Sequence, residues 1–275
     1  MKILPSRIIQ LTVPCSDNGE RFTRTDRLDL IQKTVANLEY DVLGDWPLAK
    51  VYRHRAFQPD RSAILISSHI DSLYDDYYAT TKDGELQGTF DNSACNAITV
   101  EGMINNLFPS QVLISFTGDE EGNSKGVDQT IESLQEKNIF ANLEMVISLD
   151  LTEEHYRFCH FTIENYFIEQ DNTRSLLRFG SSRDLKTYLR EMIISPKFVK
   201  DAEADESWQY NEYDLNCFSL CLPCRLLGTD MHANAGVAIL CESLIGYWNA
   251  LGQLSQAINN DLANKLLQRT ANHHR

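Results

Sequence analysis

Residues 62–72 read SAILISSHIDS, a nearly continuous apolar run that ends abruptly in a histidine and an aspartate. Short apolar runs of this kind are typical of strands that are buried on both faces. Similar runs occupy 111–117 and 144–151, and residues 92–107 carry apolar side chains at helical spacing. Strands that alternate with helices predict a mostly parallel sheet covered by helices on both faces.

The same patterns extend this prediction outward from residues 62–72. We expect further strands at 50–57, 156–163 and 217–227, and helices at 26–42, at 125–138, in two pieces within 172–195, and from about 236 onward. No internal repeat, low-complexity stretch or flexible linker interrupts the pattern.

Charge and composition exclude several classes of partner. The chain has 275 residues, of which 43% are hydrophobic and 23% charged, as in an ordinary globular protein. Asp and Glu total 39 against 25 Lys and Arg, so the formal net charge is −14. Such a surface repels nucleic-acid phosphates and anionic lipids, so we expect neither nucleic acid nor a membrane as partner.

The cellular compartment is predicted from the cysteines and from the lack of targeting signals. No segment reaches the roughly 18 consecutive apolar residues of a membrane helix, and the N-terminus does not read as a signal peptide. The seven cysteines are odd in number, which argues against a disulfide framework. We therefore expect a cytoplasmic protein.

Chemically active side chains follow the predicted strands at the points where those strands end. They are His69, Asp71, Asp91, Glu120, Glu121, Asp150 and His232. Each has an ordinary explanation when taken alone; Asp91, for example, suits a helix N-cap. Ligands of such sheets bind outside the carboxyl ends of the strands. The joint placement of these residues at one edge therefore favours a functional site.

Imidazole and carboxylate groups in this number suit zinc, which binds both kinds of ligand. Two histidines and three carboxylates could hold two ions that share one bridging carboxylate and clamp a water beside a substrate carbonyl. Zinc lowers the pKa of the water that it binds to about 7, and a base must still accept the proton. The adjacent Glu120 and Glu121 suit these two roles, because one could bind a metal ion while the other stays free to accept the proton.

Five motifs occur in a recognisable order, namely SSHIDS (67–72), GTFDNSA (88–94), GDEEG (118–122), ISLDL (147–151) and TDMHANAG (229–236). Together they resemble the dinuclear zinc exopeptidase superfamily, of the leucyl aminopeptidase and aminopeptidase Y type. The segment ADESW (204–208), followed by CLP (221–223), is also similar to that family. The resemblance implies a single α/β/α catalytic globule over 1–275, with a mixed, mostly parallel sheet. Only 22 residues separate His69 from Asp91 and 29 separate Glu121 from Asp150, so neither gap holds an inserted lid domain.

The resemblance also implies a set of metal ligands. His69 and Asp150 would bind one zinc ion, Glu121 and His232 the other, and Asp91 would bridge both. The expected cofactor is two Zn²⁺ per chain, which Co²⁺ or Mn²⁺ could replace.

Two further residues take catalytic roles by the same resemblance. Glu120 would act as the general base, moving a proton from water to the leaving amine. Asp71 would accept the second N–H of His69 and so fix the orientation of the imidazole.

The implied activity is that of an aminopeptidase acting on peptides. Removal of the acyl group from an N-acyl amino acid is the alternative reaction on the same fold, and glutaminyl cyclisation is a more distant third. A non-catalytic binding protein with this fold is a further alternative. The sequence does not indicate the oligomeric state.

Two other motifs compete with the zinc hypothesis. Residues 122–126 match G-x-S-x-G, and Ser124, Asp150 and His232 follow in the order of a serine hydrolase. However, Ser124 lies beyond the predicted strand end, and this hypothesis leaves the other acidic residues unexplained. The cluster of Cys217, Cys221 and Cys224 contains a C-x-x-C pair, but it reads as part of a buried strand.

Overall fold

The computed structural model describes residues 3–12, 25–74, 76–166, 182–199, 205–231 and 235–273. The strands are β1 (Tyr40–Trp46), β2 (Ala49–His54), β3 (Ala63–His69), β4 (Ala79–Lys82), β5 (Glu85–Gly88), β6 (Val112–Thr117), β7 (Leu143–Thr152), β8 (Thr162–Glu164), β9 (Lys197–Phe198), β10 (Cys217–Pro223), β11 (Arg225–Leu226) and β12 (Val237–Leu240). The helices are α1 (Ile3–Thr12), α2 (Thr25–Val35), α3 (Ser93–Ile104), α4 (Lys125–Glu136), α5 (Ser182–Met192), α6 (Glu206–Glu212) and α7 (Cys241–His273).

A mixed sheet of eight strands has the order β1-β2-β6-β3-β7-β10-β8-β9. Its four middle strands, β6, β3, β7 and β10, are parallel, whereas β2 and β8 join this group in antiparallel fashion. The predicted α/β fold with a mixed, mostly parallel sheet is confirmed.

Two apolar clusters cover the opposite faces of this sheet, because successive side chains of a strand point to opposite sides. Ile64 and Ile66 of β3 belong to the larger cluster, which includes residues of α1, α2, α3, α5 and α7. Leu65 belongs to the smaller cluster, which includes residues of α4 and α6. The three-layer arrangement follows from this alternation.

The face under α4 and α6 changes character along the four parallel strands. It begins with apolar side chains and then carries a buried row of serines that lie opposite one another in register, Ser115, Ser67, Ser148 and Ser219. Two residues further on, β6 and β3 reach their carboxyl ends, and β7 and β10 reach theirs four residues further on. We call the four serines the serine layer; it lies directly before the chemically active strand ends.

A second, antiparallel sheet has the order β11-β12-β5-β4. One acidic side chain, Glu85 of β5, connects this sheet to the turn after β7. It accepts hydrogen bonds from Tyr156 (2.7 Å), Arg157 (3.1 Å) and Arg225 (2.8 Å). These donors, the Tyr156 hydroxyl foremost, lower the pKa of Glu85 to about 2. The sequence analysis missed this sheet, because its strands have only two to four residues each.

The predicted elements of the central sheet are largely confirmed. The strands expected at 50–57, 62–68, 111–117 and 144–151 correspond to β2, β3, β6 and β7, and the helices expected at 92–107 and 125–138 correspond to α3 and α4. Within the described residues, no helix combines the length and the apolar composition that crossing a membrane requires.

Two predicted boundaries before and after the central strands were wrong. The helix expected over 26–42 ends at Val35, and β1 begins at Tyr40, from which residue onward the chain pairs with β2. The strand expected over 156–163 shrinks to β8, since most of that segment forms a turn. Where β1 begins and how long β8 is depend on pairing with a neighbouring strand. A local sequence pattern does not show that pairing.

Two predictions near the C-terminus also need correction, and a third is tested only in part. The strand expected over 217–227 divides, because Pro223 cannot donate to a ladder, and β11 joins the other sheet. The last helix begins at Cys241 instead of near 236, since 237–240 pair with β5 as strand β12. Of the two helical pieces expected in 172–195, α5 is observed, and residues 167–181 lie outside the described part.

Candidate metal centre

His69 is the last residue of β3 and the centre of the site. Its side chain is buried, and four acidic side chains approach it. The Nε2 atom lies 3.3 Å from Asp91 Oδ1 and 3.5 Å from Asp150 Oδ1. The Nδ1 atom lies 3.6 Å from Asp71 Oδ1 and 3.9 Å from Glu120 Oε2. The edge predicted from the strand ends therefore brings these residues together.

Asp150 and Asp91 reach this edge by different routes. Asp150 lies on β7, opposite Cys221 of β10, on the face of the sheet that carries the serine layer. Asp91 lies in the turn before α3, and the Asp91–Asn92 peptide bond is cis. The Asn92 amide donates to the carbonyl of Leu149 (2.6 Å), which fastens this turn to β7.

Helix α3 also supports the histidine from behind. The Asn96 amide donates to the backbone carbonyl of His69 at 2.9 Å, and its oxygen accepts from Ser68 at 2.9 Å. Both bonds are buried. The end of β3 is therefore fixed independently of the imidazole contacts.

The GDEEG loop, between β6 and α4, carries Glu120 and Glu121. Its two ends meet closely, because Gly126 N donates to Gly118 O at 3.0 Å. A Cβ atom at Gly126 would approach that carbonyl to 2.5 Å, so only glycine fits there. The Glu121 N–H donates to Asp71 Oδ2 at 3.1 Å, which ties the loop to the segment after β3.

Two groups of side chains have the spacing of metal ligands. One consists of His69, Asp91 and Asp150 and the other of His69, Glu120 and Glu121; within each group the ligand atoms lie within 4.8 Å of one another. In a tetrahedral zinc site with bonds of 2.0–2.1 Å, neighbouring ligand atoms are roughly 3.3–3.4 Å apart. The distances of 3.3 and 3.5 Å from His69 Nε2 match this separation.

The electrostatics of the site favour added positive charge. Burial alone would lower the pKa of His69, but Glu120, Asp150, Asp71 and Asp91 together raise it well above its usual range. Burial also raises the pKa of Asp150 to about 6, although His69 opposes this shift. So many carboxylates in one buried place repel each other unless protons or metal ions neutralise them.

Glu120, too, has a raised pKa. Burial raises its pKa well above the usual range; His69 opposes this shift, while Asp150, Glu121 and Glu206 add to it. A raised pKa brings a carboxylate closer to neutral pH, where it can accept a proton and release it again.

A cavity of about 560 Å³ opens beside these residues. This volume is within the usual range of small-molecule sites. His69, Asp91, Glu120, Glu121 and Asp150 line one part of it. The remaining lining residues are Leu151, Thr152, Glu153, Glu154, Glu164, Asn165, Asp205, Cys221, Thr229, Asp230 and Met231.

The structure thus brings together six of the seven site residues expected from the sequence. The seventh, His232, lies outside the described residues, although Asp230 and Met231 before it line the cavity. The roles of all seven stay predictions.

The competing motifs gain no support. Ser124 precedes α4 seven residues after β6 ends and is not among the described residues that line the cavity. Cys217, Cys221 and Cys224 are buried in or directly after β10, and no metal-ligand group found among the described residues includes a cysteine.

Sequence reasoning missed two buried acidic residues beside the site. Glu206, at the start of α6, is 1% exposed and accepts a hydrogen bond from Ser67 of the serine layer at 2.9 Å. Glu164 of β8 is 4% exposed and lines the cavity. The run ADESW contained Glu206, but only the contact with β3 shows its proximity to the site.

No protein-family model matches the sequence, and neither does any curated protein. Solved structures do match. Pyrococcus horikoshii TET1 peptidase has a TM-score of 0.63 at 10% identity, over 92% of this chain and 99% of that one. Aminopeptidase PepT from Bacillus cereus ATCC 10987 has a TM-score of 0.62 at 11% identity, over 94% and 98%. Legionella pneumophila LapA aminopeptidase has a TM-score of 0.59 at 14% identity, over 93% of this chain and 72% of that one.

The chain has the fold of these three peptidases. This confirms the fold that the sequence resemblance implied.

Proposed function

We propose that the chain is a zinc-dependent aminopeptidase that hydrolyses N-terminal residues from peptides. One observation carries this proposal: a buried imidazole is surrounded at 3.3–3.9 Å by four carboxylates. They include a glutamate with a raised pKa, Glu120, and the cluster opens into a cavity. The shared fold with known aminopeptidases supports the same conclusion.

Two zinc ions are the proposed cofactor. His69 and Asp150 would hold one, Glu121 and His232 the other, and Asp91 would bridge them. When bound, the ions would lower the pKa of water and polarise the substrate carbonyl. Co²⁺ or Mn²⁺ could take their place.

The chain's own residues would move the proton and hold the histidine in place. Glu120 would accept a proton from the attacking water and deliver it to the nitrogen of the leaving amine. Asp71 would keep the imidazole of His69 oriented, since its two oxygens face His69 Nδ1 and the Glu121 N–H.

The cavity favours a peptidase over the alternative N-acyl amino acid deacylase. A peptide presents a positively charged N-terminal amine, which acidic walls attract. An N-acyl amino acid carries no such amine and adds a carboxylate that the same walls repel. The acidic lining therefore supports the aminopeptidase reaction.

The setting of this activity is also a proposal. We propose that residues 1–275 work as one catalytic domain without an inserted lid, in the cytoplasm. The six cysteines in the described part of the chain are all free thiols, which suits a reducing compartment.

The proposal is tested with a panel of aminoacyl-nitroanilides and N-acetyl amino acids, run before and after treatment with a chelator. We expect hydrolysis of the nitroanilides alone, loss of activity on chelation, and recovery on adding Zn²⁺, Co²⁺ or Mn²⁺. Hydrolysis that is indifferent to the chelator, or confined to N-acetyl substrates, would overturn it.

A further inference from the structure

Two tyrosine hydroxyls hold the loop that connects β11 to β12, residues 227–236. The Tyr74 hydroxyl donates a hydrogen bond to the backbone carbonyl of Met231 at 2.5 Å. The Tyr78 hydroxyl donates to the backbone carbonyl of Ala235. Both tyrosines come from the segment between β3 and β4. The two bonds therefore fix the chain on both sides of the predicted zinc ligand that lies between these carbonyls in the sequence.

The base of this loop has its own support. The Leu227 N–H donates to the carbonyl of Gly236 at 2.9 Å, and β11 pairs with β12 beside this bond. Gly236 has a φ of +65°, and a Cβ atom there would collide with the carbonyl oxygen of Gly88, so only glycine fits. The hydroxyl contacts are therefore not needed to close the loop, and they act on the part that lies next to the candidate metal centre.

Tyr78 is itself held against the segment that leads to Asp91. Its backbone N–H donates to Thr89 Oγ1 at 3.1 Å, and its carbonyl accepts from the Thr89 N–H at 3.1 Å. Thr89 lies two residues before Asp91. The position of the loop at Ala235 is therefore set relative to the turn that carries a predicted metal ligand.

Tyr74 connects the loop to this turn directly. Its side chain is buried, and the backbone N–H of Asp91 donates a hydrogen bond to its hydroxyl. The same hydroxyl donates to Met231, the residue before His232. Burial, together with the carboxylates of Asp91 and Glu121, raises the pKa of Tyr74. The hydroxyl therefore keeps the proton that it donates.

We propose that the Tyr74 hydroxyl is a positioning group for the second zinc ion, because it sets the separation between the turn that carries Asp91 and the loop that carries His232. Tyr78 supports it from the far side of the loop. This inference rests on the proposed function, in which Asp91, Glu121 and His232 are the ligands of that ion.

The first zinc ion depends on other supports. Its proposed ligands His69 and Asp150 lie on strands of the central sheet, and the Asn96 amide fastens the backbone of His69. Only the bridging ligand, Asp91, belongs to both ions. Removal of the Tyr74 hydroxyl should therefore weaken the binding of the second ion much more than that of the first.

Tyr74→Phe removes the hydroxyl and keeps the ring, so this variant isolates the contact. Stepwise zinc binding is measured by competition with chelating dyes. We expect the affinity for the second ion to fall by about 10–100-fold, as is typical when an outer partner of a metal ligand is lost, and the affinity for the first ion to stay as in the parent. Tyr78→Phe should act in the same direction and more weakly, because its side chain is more exposed.

Tyr213→Phe is the matched control. It removes a hydroxyl that donates to Asp128 of α4 at 2.6 Å, before β10 begins and so at the other end of that strand from the metal centre. Both zinc affinities should equal those of the parent. If Tyr74→Phe does not fold, Tyr78→Phe serves in its place, and its affinity for the second ion must also fall.

A spectroscopic measurement separates positioning from a general loss of structure. With one equivalent of Co²⁺, the absorption spectra of Tyr74→Phe and the parent should coincide. With two equivalents the spectrum of the variant should fall short of that of the parent, and excess Co²⁺ should restore it. A defect in folding would instead change the spectrum at one equivalent and lower both zinc affinities together, which would overturn the inference.

The outcomes distinguish this inference from the proposed function. Equal affinities for the second ion in Tyr74→Phe and in a parent that binds two ions would overturn the positioning role and leave the proposed function standing. A parent that binds two ions but hydrolyses no substrate would overturn the aminopeptidase function, while a selective loss in Tyr74→Phe would still support the positioning role. A parent that binds no zinc would overturn both.

Discussion

At the scale of single residues, His69 organises the site, because carboxylates from four different segments meet at its two ring nitrogens. The sequence predicted this meeting, since a His-x-Asp pair and an acidic run follow neighbouring parallel strands. It did not predict Glu164, which comes from a strand of only three residues. Short strands carry no periodic signal, so the position of that side chain depends on pairing with β10.

Replacing Glu120 by glutamine should separate chemistry from metal binding. The variant keeps the shape of the side chain but cannot accept a proton, so kcat should fall by at least about 10²-fold. Its zinc content should match that of the parent. Steady-state kinetics and elemental analysis check both points, with Glu132→Gln as the control. A variant with normal turnover would remove Glu120 from the role of base.

Replacing Asp71 by asparagine should weaken metal binding. The substitution removes the negative charge that faces His69 Nδ1 at 3.6 Å. Loss of such an outer partner of a metal-bound histidine typically costs 10–100-fold in metal affinity. Competition with a chelating dye measures the zinc affinity. An affinity equal to that of the parent would show that Asp71 does not support the histidine.

At the scale of elements, the alternation of side chains along the parallel strands places the site. Along β3, Leu65, Ser67 and His69 share one face of the sheet. Leu65 belongs to the apolar core, Ser67 to the serine layer and His69 to the candidate metal centre. The small serines leave room for α6, whose Tyr210 hydroxyl donates to Ser67 Oγ at 2.9 Å. The strand pattern was readable from the sequence. Helix α6 was not, because seven residues are too few to show a helical period.

Glu206 makes stability depend on pH in the metal-free protein. Burial raises its pKa from 4.5 to about 7, so the folded state binds the proton more tightly than the unfolded chain does. Its contribution to stability is therefore fully present below pH 4.5 and is lost as the pH rises through 7. A shift of this size corresponds to about 3 kcal/mol at most.

Glu206→Gln removes this titration. Chemical denaturation between pH 4.5 and 8.5 should show the variant gaining stability relative to the parent as the pH rises. Glu132→Gln, at an exposed position, should follow the parent at every pH. A difference between Glu206→Gln and the parent that stays constant with pH would contradict the burial of an ionising group at this position.

At the scale of the whole molecule, the described residues that line the cavity include nine carboxylates and one imidazole. The net charge of −14 indicated an acidic protein, but not where the charge lies. The sequence predicted the large sheet, because long apolar runs are a strong signal. It missed the four-stranded sheet, whose strands have only two to four residues each and in which β5 pairs with β12, a segment distant along the chain.

We propose that side chains from distant parts of the chain converge to hold a pair of zinc ions. Crystals grown with zinc, with data collected on both sides of the zinc absorption edge, test it most directly. We predict two anomalous peaks, one bonded to His69 and Asp150, the other to Glu121, and both to Asp91, at about 2.0–2.2 Å. A map with no peak beside His69 from fully zinc-loaded protein would contradict the account.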